Sequence, residues 1–474
     1  MTSRVIGTDG AEVDFAAVRE DFGLPKQFPA AALAEAERAV SEGPRGDRDD
    51  ATDLPLITID PPGAKDLDQA MYIERVGDGF RVHYAIADLG AFVVPGGALD
   101  TEVRRRGQTI YLPDGNVPLH PPVLSEGIAS LLPDQTSPAA LWTIDLDAAG
   151  EPTSATVRRA WVRSTAQFDY ETVQAAIDAG RPHPSIAALP ELGKLRREHA
   201  IKRGAVELQL PEQEVEPEDD GGWRLVLRPR TKVDAWNAEI SLLTGMAAAK
   251  IMLDAGIGVL RTLPDPDASA VDWLRRSAKV LGIDWPKDAT PAELLAGLDP
   301  SRPEALALFM DATRLLRGAG YTVFDGHAPE LSTHAGIAAS YAHVTAPLRR
   351  LVDRFGTEIC LALCAGEEVP AWVRAALPLL PDLMEGSDSL AGKVDRACLD
   401  LVEAWVLSDR VGHEFDAVVL RAEGGSAEIF IAEPPVLARC AGEGLPEGGT
   451  IRVRLTGAVV AERRVEFERV EETA

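Results

Sequence analysis

Positive charge is the first thing this chain is short of: lysine and arginine number 48 against 75 aspartates and glutamates, a formal net charge of −27. That balance excludes a protein coated in basic surface. A polyanionic ligand would have to be gripped in a local groove lined by arginine or lysine, not by the overall field. Cysteine is scarce too, with 4 in 474 residues. Cys360, Cys364, Cys398 and Cys440 do not form the two close pairs of a zinc site. Cys360 and Cys364 fall one turn apart in an apolar helical segment, so buried free thiols are expected. No apolar run is long enough to span a bilayer, and no secretory or lipidation signal is legible, so the expectation is a cytoplasmic protein with no membrane partner. The first 50 residues lack an aromatic-rich strand array that would build a barrel of their own.

What is present centres on Ile57 to Ala70, ITIDPPGAKDLDQA, where Asp60, Asp66 and Asp68 sit on a loop between two apolar runs. Leu56 to Ile59 reads as a strand. Ala70 to Ile73 reads as the next, reaching a Gly77-Asp78-Gly79 turn and returning as Phe80 to Leu89. Crowded carboxylates repel and raise one another's pKa unless cations neutralise them. Hard oxygen ligands with gaps for water suit Mg²⁺, with Mn²⁺ as an alternative, and such ions clamp the attacking and leaving oxygens in phosphoryl chemistry. The same spacing also suits a solvated turn, and spacing alone leaves both readings open. A helix-loop-helix calcium site fits less well, because its Asp alternation and closing Glu are missing.

The chain has room for several domains and a sizeable core. Residues 1–50 read as a helical appendage, with helices over Asp14 to Phe22 and Ala30 to Ser41 and a polar linker from Glu42 to Asp53. Residues 51–410 read as one large domain. Strands lead, with Phe80, Val82, Tyr84 and Ile86 alternating onto a buried face, and a hairpin is expected around Ala149-Gly150. Leu99 to Arg106 is a short helix ending in Arg104-Arg105-Arg106, equally a solvated basic face or an RNA-facing patch. Helices dominate from Tyr170, interrupted by an acidic hairpin tip at Glu212 to Asp220; Ala235 to Ala255 is apolar enough to be buried. Thr290 and Glu293 form a capping box. In SYAHVTAPLRRLVDR, Thr345 reads as an N-cap and Pro347 as first-turn proline, so Arg349 and Arg350 would sit at a helix N-terminus, a phosphate-binding arrangement. Residues 411–474 return to four short strands, His413 to Arg421, Ser426 to Ile431, Thr450 to Leu455 and Val465 to Val470, spaced for a small OB-type barrel.

With these stretches in place, the chain resembles the ribonuclease II family, the RNB-domain 3′→5′ exoribonucleases. Four segments carry the match in the family's order: TIDPPGAKDLDQA; AIADLGAFVVPGGALDTEVRRRGQTIYLPDGNVPLHPPVLSEGIASLLP; NAEISLLTGMAAAKIM; and YAHVTAPLRR. The resemblance implies an α+β fold, a mixed sheet packed with helices around an RNA channel, and a monomer. It implies Mg²⁺-assisted hydrolysis of single-stranded RNA from its 3′ end to nucleoside 5′-monophosphates. Position by position, Asp60, Asp66 and Asp68 match three of four metal-site aspartates, Asp68 being the one most closely tied to catalysis. Arg349 matches the arginine that grips the scissile phosphate, with Arg350 beside it. Tyr111 matches the tyrosine that sets where shortened RNA lets go, Tyr170 falls near a second aromatic clamp, and Glu239 matches a glutamate on the terminal ribose. The chain departs from the family at the fourth aspartate, here Gln69, whose amide oxygen is still expected as a metal ligand, and at a helix asparagine, here Gly245. The usual pair of N-terminal cold-shock-type barrels has no counterpart. Two other readings stay open: an RNA-binding regulator on a catalytically weakened RNB scaffold, and a hydrolase of very short oligoribonucleotides.

Overall fold

The structure is a computed structural model that describes residues 13–210, 212–218, 221–228 and 230–470. Part of the expected appendage (1–12) and the hairpin-tip residues Asp219 and Asp220 lie outside the described residues. Helices α1 (Phe15–Asp21) and α2 (Ala30–Glu42) come first, where the sequence places them, with Asp14 accepting the Ala16 and Ala17 N–H groups as N-cap of α1. Strands β1 (Asp49–Asp50), β2 (Leu56–Ile59), β3 (Gln69–Val76) and β4 (Gly79–Ala87) follow, then α3 (Ala98–Arg106), the hairpin β5 (Ile110–Leu112) and β6 (Gly115–Val117), and the long strands β7 (Thr136–Leu146) and β8 (Pro152–Phe168).

The sheet order is β1-β8-β2-β3-β4-β7, and β7 also pairs with β8, so five of its strands close on themselves. The length of β8 makes this possible. Up to Arg163 it runs antiparallel to β7; from Ser164 it runs parallel to β2. Gly77 takes a positive φ of 59° in the tight turn between β3 and β4. Phe80, Val82, Tyr84 and Ile86 are buried as their alternation predicts, and Ala85 and Ala87 are buried on the other face. Each large side chain removed from water here contributes about 1.5–3 kcal/mol.

The second half runs α4 (Tyr170–Asp178), α5 (Leu189–Arg203), the hairpin β9 (Glu212–Pro217) and β10 (Trp223–Arg228), α6 (Lys232–Ala255), β11 (Ile257–Thr262), α7 (Ala268–Val280), α8 (Pro291–Ala296), α9 (Pro303–Ala312) and β12 (Gly320–Asp325). Next come α10 (Leu351–Ala365), α11 (Ala371–Ala376) and α12 (Leu380–Leu407). The Thr290–Glu293 capping box is formed at α8. Strands β13 (Glu414–Glu423), β14 (Ser426–Ala432), β15 (Pro435–Ala441), β16 (Thr450–Val459) and β17 (Arg464–Arg469) close into a barrel. The reading of four strands missed β15, whose proline-led start conceals the buried alternation of Val436, Ala438 and Cys440. Of the four cysteines, Cys364 is exposed, not buried as expected, because it comes near the open end of α10.

Two cores result. One joins the sheet to α3, α6 and α10. The other joins the barrel to α12, and it also takes in Phe15 and Val18 of α1 and Ile110, Leu112 and Val117 of the β5–β6 hairpin. Arg19 in α1 donates through both terminal nitrogens to Asp114 in that hairpin's turn, each at 2.8 Å. Glu35 of α2 meanwhile accepts the first N–H groups of α3, Ala98 at 2.7 Å and Leu99 at 3.3 Å. The appendage is thus bonded into both cores.

Candidate active site

The sheet delivers Asp60 first, at the end of β2, where its N–H donates to the Phe168 carbonyl of β8 at 3.0 Å. The loop then turns over Ala64 and brings Asp68 back just before β3. Asp68 is 5% exposed. Its Oδ1 accepts the Leu348 N–H at 2.8 Å, and its Oδ2 lies 3.6 Å from Nε of Arg349. Two segments nearly three hundred residues apart are thereby joined at one carboxylate. Tyr111 extends from β5 with its ring half-exposed and donates its hydroxyl to Asp66 Oδ2 at 3.0 Å. Tyr170, at the start of α4, accepts from Asn237 of α6 at 3.2 Å. Asp60, Asp66, Asp68, Arg349 and Tyr111 therefore gather in one place.

Burial sets the electrostatics. It pushes the Asp60 carboxyl up to about 7, against the influence of Arg349 and with repulsion from Asp66 adding to the rise. It raises Asp68 in the same direction, partly offset by Arg349 and the Leu348 N–H. Asp60 Oδ2 is buried with no hydrogen-bond partner among the described residues. No three histidine, cysteine, aspartate or glutamate side chains among the described residues are gathered tightly enough to make a complete metal cage. An orphaned, desolvated carboxylate oxygen beside two more carboxylates still fits a cation of the magnesium kind. Such ions commonly take one or two carboxylates and fill the rest of their shell with water and substrate phosphate.

Sequence profiles place this geometry. The RNB domain matches residues 48–358, and the RNase II-type exonuclease C-terminal S1 domain matches residues 413–470. The chain belongs to the RNB family. Ribonuclease R of Escherichia coli is 30% identical over 338 residues, which are 68% of this chain and 41% of that protein, so the chain spans about two fifths of that relative's length. The apo form of Mycoplasma genitalium RNase R superposes with a TM-score of 0.86 at 19% identity, covering 96% of this chain and 77% of that one. Yeast Ssd1, described as a pseudonuclease, superposes at 0.72 with 16% identity, covering 94% of this chain and 58% of its own. Both structures share the fold.

Within the RNB domain four sequence expectations meet a different arrangement. The helix expected to start at Thr345 starts at Leu351. Asp353 captures the Ala346 N–H at 2.6 Å and Asp68 captures that of Leu348, so Thr345 to Arg350 is held as a loop ahead of the helix. Arg350 donates to both oxygens of Asp353 at 2.9 Å, which ties its guanidinium to the start of α10. Glu239 lies about 200° around α6 from Asn237, on the side facing Arg196 and Arg203 of α5. It is buried there, away from the side that carries Asn237 and Ser241 toward the site. The triple arginine of α3 is likewise neutralised locally, Arg104 by Asp100 and Arg105 and Arg106 by Glu102.

Gln69 is the fourth. Its Nε2 donates to the Thr345 carbonyl at 2.7 Å and its Oε1 accepts the Tyr84 hydroxyl at 2.5 Å. Both ends of the amide are engaged within the protein, which makes it a latch between β3 and the arginine loop. Gln69→Asp is expected to lower the melting temperature of the metal-free protein, because the shorter anion leaves the Thr345 carbonyl without its donor, at a cost of about 1–3 kcal/mol. Thermal melts in EDTA check this, and isothermal titration with Mg²⁺ should find no tighter binding than in the wild type. Tyr84, Thr345, Asn237, Ser241 and Asp353 were not legible as site residues, since each acts through a bond that only the folded chain reveals. Gly245 has its own reason: a Cβ there would collide with the Tyr341 ring, which lies against α6 while the Ala342 N–H donates to the Gly245 carbonyl at 3.1 Å.

Proposed function

We propose that this chain is a 3′→5′ exoribonuclease that hydrolyses single-stranded RNA to nucleoside 5′-monophosphates with Mg²⁺. The observation that carries the reading is the junction of Asp68 with Leu348 and Arg349, which puts a fixed carboxylate and a half-exposed guanidinium on the same spot. Asp60, with Asp66 or Asp68 beside it, would hold the ion, and water and phosphate oxygens would fill the rest of its shell. When bound, it lowers the pKa of water and neutralises phosphate charge. Arg349 reaches out to the scissile phosphate and meets the charge that develops on its oxygens. Asp68 is kept from turning by the Leu348 N–H. The half-exposed ring of Tyr111 stacks on a base at the 3′ end, and Tyr170 offers a second aromatic surface beside Asp60. A structural relative of the same fold, Mycoplasma genitalium RNase R, has been solved with ribose-methylated single-stranded RNA, which supports RNA as the ligand class.

End-labelled poly(A) incubated with Mg²⁺, Mn²⁺ or EDTA tests the reading. A ladder ending in mononucleotides with metal alone supports it; no shortening under any metal removes it. That negative outcome is what the second reading expects, a non-hydrolytic RNA-binding protein. The latch at Gln69 favours that alternative, because it leaves the site one carboxylate short.

The pKa of Asp60 gives a further expectation. An acid whose folded-state pKa is raised to about 7 holds its proton more tightly when folded. Metal-free protein therefore loses stability as pH rises from the ordinary aspartate range through about 7. Mg²⁺ competes with that proton, so its affinity should strengthen over the same interval. Melting curves at about pH 5 and about pH 8, with EDTA or Mg²⁺, check both. Mg²⁺ should raise the melting temperature at the higher pH and change it little at the lower, and Asp60→Asn should flatten the difference.

A further inference from the structure

Around α7 the arginines of this acidic chain break with their neighbours. Arg261, Arg302 and Arg421 nearby are paired with Asp388, Glu304 and Asp311. Arg275, Arg276, Arg314 and Arg317 have no carboxylate partner among the described residues. Three of them lie over indoles: Arg314 is 4.4 Å and Arg276 6.0 Å from the Trp273 ring centre, and Arg275 is 4.8 Å from that of Trp285. Trp273 is nevertheless 37% exposed, and Nε of Arg314 is buried with no hydrogen-bond partner among the described residues. Trp273, Arg276, Arg314 and Arg317 line one open cavity of about 540 Å³ together with Asp265 and Asp267. Asp267 is occupied as the N-cap of α7, bonded to Ser269 and the Ala270 N–H.

An exposed indole flanked by unpaired guanidinium groups is what a single-stranded nucleic acid recognises: bases stack on the ring and phosphates take the arginine donors. The patch is also tied to the site. It opens just after β11 and closes just before β12, and the N–H of Arg261 in β11 donates to the Tyr341 carbonyl at 2.8 Å, on the segment that runs to Arg349. On the other side α9 packs its Leu306 against Leu420 and Phe430 of the barrel. The helical unit carrying the patch thus sits between the catalytic segment and the barrel.

We propose that this arginine–tryptophan patch is a second RNA-binding site, one that holds the strand upstream of its reacting 3′ end. It supplies locally the positive charge that the chain as a whole lacks. The inference rests on RNA being the substrate, and binding measured in EDTA separates the two claims. The test uses full-length protein carrying Arg276→Glu and Arg317→Glu, both exposed positions, with fluorescence anisotropy of labelled poly(A) of about 20 and about 4 nucleotides. Affinity for the longer strand should fall about tenfold or more, and its dependence on log salt should become shallower by about 1 to 2, since each lost phosphate contact removes about 0.7. Affinity for the short strand, and any cleavage of it with Mg²⁺, should stay at the wild-type level. Unchanged affinity and salt slope for the long strand would overturn the proposal. Trp273→Ala provides a second arm, expected to weaken long-strand binding without altering the salt slope. If wild-type protein binds the long strand but cleaves neither, the hydrolytic reading fails while the patch is still tested.

Discussion

Asp68→Asn is expected to cut mononucleotide release by a factor on the order of 10³, with RNA binding nearly unchanged. Asparagine keeps an oxygen to accept the Leu348 N–H, so the arginine loop stays docked. What the substitution removes is the negative charge facing Arg349 and any cation. The carboxylate of Asp68 is buried, so no solvent stands in for the lost charge. Single-turnover cleavage of end-labelled poly(A), set beside anisotropy with the same RNA, separates chemistry from binding. A variant that cleaves at the wild-type rate would dissolve the assignment of this residue.

Arg349→Ala should cost roughly 10²–10³ in kcat, with a smaller change in KM, if the guanidinium meets charge that grows in the transition state. The side chain is 46% exposed and touches the protein mainly through Asp68, so its loss leaves the fold intact. It also leaves Asp68 less well neutralised, which should raise that carboxyl further and make the residual activity more alkaline-dependent. Lysine at the same position should recover only part of the rate, because a point charge does not reproduce a planar fork of donors. Steady-state kinetics on a short oligonucleotide distinguishes these outcomes, and equal losses in kcat and binding would point to a ground-state role instead.

Elements whose signals are local were legible in the sequence. The β3–β4 hairpin announced itself through period-two burial and a glycine turn, and α8 through a capping box. Asp60, Asp66 and Asp68 stood out through density of charge, and Arg349 through the motif it shares with a known family. What stayed hidden depended on which partner each side chain finds once the chain is folded. Arg350 looks as available as Arg349 until Asp353 is seen to take two of its three guanidinium nitrogens. Gln69 reads as a weakened aspartate until the Tyr84 hydroxyl and the Thr345 carbonyl are found at its two ends. The surroundings of Glu239 were hidden by helix phase: two positions along α6 turn a side chain from the side of Asn237 to that of Arg196 and Arg203. The start of α10 was misplaced because side-chain carboxylates took the N–H groups that a helix would have left open.

The β5–β6 hairpin is anchored in the core of the barrel and α12, yet Tyr111 at its edge gives its hydroxyl to an aspartate of the other core. Arg19 pins the turn of the same hairpin from α1, whose Asp21 is bonded in turn to Arg463 of the barrel at 2.5 Å. The ring is therefore mounted like a gauge needle, read at the aspartate loop but carried by the core of the barrel and α12. A displacement of the barrel would be passed along this linkage to Tyr111, so the two ends of the chain are mechanically coupled at one hydroxyl.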